Sequence, residues 1–96
     1  EDARNLINLQ VTQLRKQEGE ALEKLTMAQN NLSSAEENLR TATVGFEEGV
    51  IDTNTALAAQ TAWLKAHSEY IDAGIELQML AANLNKAEGN NHAQAR

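Results

Sequence analysis

The sequence predicts an all-α protein: a long antiparallel two-helix coiled-coil hairpin, of a kind that assembles into a larger helical bundle or α-barrel. Three observations carry this. Apolar residues recur at alternating steps of three and four over two long stretches, Ile7 to Phe46 and Ala56 to Ala87. No proline occurs in 96 residues, so nothing forces a kink in an interior helical turn. A single short break, Gly45 to Asn54, separates the two stretches.

The first stretch carries a seam of Ile7, Val11, Leu14, Glu18, Ala21, Leu25, Ala28, Leu32, Ala35, Leu39, Ala42 and Phe46. It predicts a helix from about Ala3 to Gly45, roughly 60 Å long at 1.5 Å per residue. Only Glu18 breaks its apolar character. Gly19, beside it, costs about 1 kcal/mol relative to alanine. The seam stays in phase on both sides of this pair, so the helix is expected to run through.

A turn over 46–52 follows. Gly49 suits the left-handed residue that closes a helix C-terminus. Asp52 suits the N-cap of the next helix, with Thr53 and Asn54 in reserve. Val50 and Ile51 then fall in the turn itself, where two β-branched apolar residues are unusual for a solvated loop. The second seam is Ala56, Ala59, Trp63, Ala66, Tyr70, Ala73, Leu77, Leu80, Leu84 and Ala87. It predicts a helix from about Thr53 to Glu88, ended by Gly89-Asn90-Asn91. The hairpin thus covers 1–89, with 90–96 a frayed tail.

The pattern also predicts a register. With the turn centred near Val50 and Ile51, facing residues have numbers adding to about 101 or 102. Ala42 then meets Ala59, Ala35 meets Ala66 and Ala28 meets Ala73. Between these layers Phe46 meets Ala56, Leu39 meets Trp63, Leu32 meets Tyr70 and Leu25 meets Leu77. Alanine layers allow the helix axes to approach at the short end of the usual 8–10 Å. A strict seven-residue repeat implies left-handed supercoiling. Two features are left over. Ile7 and Val11 extend past the expected end of the second helix. That helix also carries a second apolar stripe, Leu57, Leu64, Ile71, Ile75 and Met79, which is unfavourable on a monomer and calls for lateral partners. The first helix has Gln29, Glu36 and Thr43 on its equivalent flank.

Composition narrows the function classes. The net charge is −6, with no basic stripe to attract nucleic acid or an anionic membrane surface. There is no cysteine, hence no disulfide framework. No apolar run approaches membrane-spanning length. The start at Glu1, without an initiator methionine, suggests a piece of something longer. No catalytic constellation and no cofactor site is evident. His67 has Ile71 at i+4, which gives no second metal ligand, and Ser33-Ser34 has no histidine nearby. Glu69, Asp72 and Glu76 read as a solvated acidic face, and Glu36 and Glu37 before Arg40 as helix-surface ion pairs. Trp63 and Tyr70 read as seam residues rather than a ligand-stacking pair.

An ordered set of short motifs resembles the repeat of TolC-type outer-membrane efflux proteins. It comprises Leu32-Ser33-Ser34-Ala35-Glu36-Glu37-Asn38-Leu39-Arg40, then Phe46-Glu47-Glu48-Gly49-Val50-Ile51-Asp52, then Leu57-Ala58-Ala59-Gln60. Ala66, Tyr70, Leu84, Ala87 and Gly89 complete it, over about residues 1–89. The resemblance implies a trimeric parent whose subunits supply β-barrel strands to the outer membrane and helical hairpins to a periplasmic tunnel. This chain would be one such periplasmic hairpin, without membrane strands or signal, and a passive conduit rather than an enzyme. Its tip, Gly49, Val50, Ile51, Asp52 and Thr53, would meet a periplasmic adaptor protein that links the channel to an inner-membrane pump. Some members carry acidic residues just after the tip. The corresponding positions here are Thr55 and Ala58, so the acidic ring of those members is not expected. The alternative is a generic coiled-coil scaffold that oligomerises through its second helix.

Overall fold

A computed structural model describes the chain from Asp2 to Gln94, with side chains described for residues 6–87. Two helices account for nearly all of it: α1, Asp2–Glu47, and α2, Thr53–Gln94. They pack side by side as an antiparallel hairpin measuring 70 × 17 × 14 Å. The all-α hairpin expected from the heptads is therefore the fold.

Packing follows the alternation of small and large seam residues. Among the described residues the buried ones are Ala21, Ala28, Ala42, Ala59, Ala73 and Leu84, each at most 8% exposed. Two of the expected alanine layers, Ala42 with Ala59 and Ala28 with Ala73, thus have both members in the core. Ala35 and Ala66 are half-buried. The large seam side chains, Leu25, Leu32, Leu39, Trp63, Tyr70 and Leu77, are also half-buried. They extend past the small alanine contacts toward solvent. Among the described residues no large side chain is completely enclosed. A buried alanine removes only about one methyl group from water, on the order of 0.8 kcal/mol. The hairpin therefore gains little from its own seam and keeps much apolar surface outside it.

Contacts across the seam give the register directly. Lys24 Nζ lies 3.3 Å from Glu76 Oε2, a pair whose numbers add to 100. Leu25 Cδ1 lies 4.0 Å from where a side chain on Gly74 would begin, a pair adding to 99. Both sit at the edges of a seam centred close to the expected sum. Leu84 is buried although Glu18 is its expected partner, and Glu18 is itself half-buried. The glutamate's methylenes can cover the leucine while its carboxylate reaches water.

Three expectations need correction. Helix α1 ends at Glu47 rather than Gly45, because its terminator is Gly49 and the last turn closes just before it. Helix α2 does not stop at Glu88; it runs through Gly89-Asn90-Asn91 to Gln94. Glycine and asparagine end a helix only where the backbone turns left-handed, and Gly49 is the only glycine with positive φ among the described residues. Residues 95–96 of the expected frayed tail lie outside the described residues. The longer α2 also supplies helix opposite Ile7 and Val11, which are half-buried. Third, Phe46 is 47% exposed rather than enclosed at the end of the seam, although it still lines a groove with its expected partner Ala56.

Gly19 and Gly45 sit in opposite surroundings within α1. A Cβ added at Gly19 would meet no atom within 4 Å, so Gly19→Ala adds helix propensity without a clash. It should stabilise the hairpin by about 1 kcal/mol. At Gly45 the same atom would fall 2.6 Å from Ile51 Cδ1 and 2.8 Å from Ile51 Cγ1. Gly45→Ala should therefore lower the thermal midpoint despite its better propensity. Circular dichroism melts of the two variants check the opposite signs.

Candidate interaction surfaces

The tip is built by a capped reversal of the chain. Gly49 adopts φ +77°, and its N–H donates to the carbonyl of Phe46 at 3.0 Å. Val50 N–H donates to the Gly45 carbonyl at 2.8 Å, which completes a Schellman motif. Ile51 N–H reaches the same carbonyl at 3.1 Å. One oxygen thus accepts from two successive residues and pins the turn. Ile51 folds back over Gly45, where the missing side chain leaves it room. On the far side, Asp52 Oδ1 accepts from Thr55 N–H at 2.8 Å, the N-cap geometry.

This geometry divides the five tip residues by role. Gly49 and Asp52 shape the turn, and Ile51 holds it closed. Thr53 opens α2 and is exposed. Val50 is 79% exposed, the most exposed of the large apolar side chains described. Around it stand Glu47, Glu48 and Asp52. No basic residue occupies the last turn of α1, so Glu47 and Glu48 face the negative end of the helix dipole. The tip therefore offers an apolar point within a negative field.

The five stripe residues of α2 are all exposed, from 44% at Ile71 to 62% at Met79. They lie further round than the flank to which the sequence pattern assigns them. At 100° per residue, Leu57, Leu64 and Ile71 lie about 130° from the seam centre, and Ile75 lies further still. Most of the stripe thus faces away from α1, while Leu57 also borders a groove shared with Leu39 and Phe46 of α1. Helix α1 also exposes apolar side chains, Leu6, Leu9, Leu22, Met27 and Val44, but they are scattered over several faces.

A surface near the tip was not legible in the sequence. Phe46, Leu39, Ala56 and Leu57 line an open groove on one side of the hairpin next to the turn. The signal was present in the large Phe46 facing the small Ala56 in the last layer before the turn. His67 is half-buried and stacks on Trp63, with ring centroids 5.0 Å apart and planes 23° apart, so it turns toward the seam rather than the outer stripe. On the opposite side Glu69, Asp72 and Glu76 line a groove with Lys24, and only Glu76 pairs with it. Glu37 and Arg40 form an exposed i,i+3 pair, which holds the Glu37 carboxyl below its ordinary range.

Among the described residues no group of three or more potential ligands could hold a metal ion. No helix there is long and apolar enough to cross a membrane. His92 lies beyond the described side chains. The fold and surfaces define the class: a helical hairpin with an apolar tip and an outward apolar stripe. Comparison with protein-family models, with curated proteins and with solved structures returned no match.

Thr55 lowers the Asp52 pKa through its side chain first and its backbone N–H second. A depressed folded-state pKa gives stability that is present above the unfolded value and lost as pH falls through the folded value. Asp52→Asn keeps an acceptor but no titrating charge. Its melting point should therefore fall less than that of the parent chain as pH drops from 5 to 2, while Asp52→Ala should be less stable at neutral pH. Thermal melts across that range check both.

Proposed function

We propose that this chain is the periplasmic helical-tunnel segment of an outer-membrane efflux channel, a passive conduit whose tip docks on a periplasmic adaptor protein. The observation that carries the reading is the tip. Val50 is held out, 79% exposed, on a turn pinned by the Gly45 carbonyl and the Asp52 cap. An apolar side chain fixed at the end of a 70 Å rod is costly in water and suited to a partner that covers it. The motif order described above supports the same reading. So does the outward stripe of α2, since a stave of a tunnel must contact neighbours on more than one face. In this reading the parent is a homotrimer coupled through the adaptor to an inner-membrane pump, and the segment works in the periplasm without touching the membrane.

The negative field around Val50 sharpens the partner. An adaptor tip that fits here presents an apolar cleft bordered by lysine or arginine. Glu47 and Glu48 oppose the dipole of their own helix, and such a local conflict is common where a surface serves binding. A coiled-coil scaffold that oligomerises through α2 is the second reading. The stripe favours it equally, but it leaves the tip unexplained.

The test separates folding from docking. Gly49 and Ile51 build the turn, so their substitution would confound the two. Val50→Asp in the full-length parent should leave the hairpin folded and abolish export of a fluorescent substrate. Glu48→Lys should raise the thermal midpoint by relieving the dipole conflict and yet weaken adaptor binding. Undiminished export by Val50→Asp would remove the tip from the docking surface.

A further inference from the structure

We infer that the outward stripe of α2 closes on the same stripe of a second copy, with the two α2 helices antiparallel about a twofold axis near Ser68. This goes beyond the tunnel reading and does not rest on it. Staves of a tunnel run parallel, so the antiparallel pair is a state of the free chain.

The stripe is largely complementary to itself, Ile75 alone facing a polar residue, Thr61, about an axis at Ser68. Leu57, Leu64, Ile71, Ile75 and Met79 are exposed over about 33 Å of one helix. The exposed apolar residues of α1 form no comparable run, so α1 of a second copy offers no equal surface. In an antiparallel pair Leu57 meets Met79 of the second copy, and Leu64 meets its Ile71. Ser68 meets itself. A small residue at the crossing point lets the two helices approach closely.

Charge selects the orientation. Lys65 and Asp72 both lie on one flank of the stripe, both exposed, and neither has an ion-pair partner among the described residues. A twofold axis across the helices brings this flank against itself. Each Lys65 then meets Asp72 of the other copy, so the pair forms twice. A parallel pair would set the same flank against Gln60, His67 and Gln78, which offer no carboxylate. Glu69 and Glu76 lie further round toward α1, and Glu76 is held by Lys24. Nothing on α1 covers the outward face, so the hairpin need not rearrange.

Sedimentation of the whole chain tests the pairing, because a pair has twice the 10.5 kDa of one chain. The chain has no cysteine, so introduced thiols report contacts cleanly. The double variant Leu57→Cys with Met79→Cys should form disulfide-linked dimers on mild oxidation, whereas either single variant should not. Lys65→Asp and Asp72→Lys should each weaken association about five- to tenfold, and together restore it. Helical circular dichroism should be unchanged in every variant. A monomer at every concentration would overturn the pairing and leave the tunnel reading standing. Self-linking of the single cysteine variants would overturn the antiparallel orientation and show side-by-side staves instead.

Discussion

Close approach of two helices over alanine is the constraint on which the structure depends. Ala28, Ala42, Ala59 and Ala73 carry too little side chain to hold the axes apart, so the backbones come together at those layers. The larger seam residues apart from Leu84 then reach toward solvent. Leu25, Leu39 and Trp63 are half-buried, since one neighbouring helix covers only one side of each. The same constraint keeps the rod narrow.

The turn is the second place where a missing side chain decides the outcome. Gly45 is an ordinary helical residue by its dihedrals, yet any side chain there would force Ile51 to shift. Gly49 is needed for the opposite reason, because its backbone is left-handed. The first glycine admits a neighbour and the second permits a reversal. Between them they turn the chain with its apolar Val50 outward, while Asp52 supplies the orphan N–H of Thr55 with an acceptor.

Much of this was legible because heptad spacing is a strong signal over forty residues. The seam, the cap at Asp52, the left-handed Gly49 and the alanine layers followed from spacing and residue type alone. Other features did not. The extension of α2 through Gly89-Asn90-Asn91 depends on backbone dihedrals that composition does not dictate. The partial exposure of Phe46 depends on side-chain packing beside the turn, where it lines a groove with Ala56 and Leu57. Stacking of His67 on Trp63 is a rotamer choice at i,i+4 spacing, invisible until the ring planes are known. The motif resemblance stands apart from these points, since it bears on function rather than on the geometry of the hairpin.

One consequence follows from the way contacts are distributed along the rod. Each layer of the seam touches only the layers next to it, and only the turn joins the helices covalently. Separation is therefore serial, like a zipper, with the stop at the tip and the slider at the open end. Closure begins where the loop is shortest and its entropy cost smallest, next to Gly49. Pulling on the two open ends parts one layer at a time at low force. Shearing the helices along their length loads all layers together and meets far greater resistance. A member built this way is compliant to peeling and stiff to axial load.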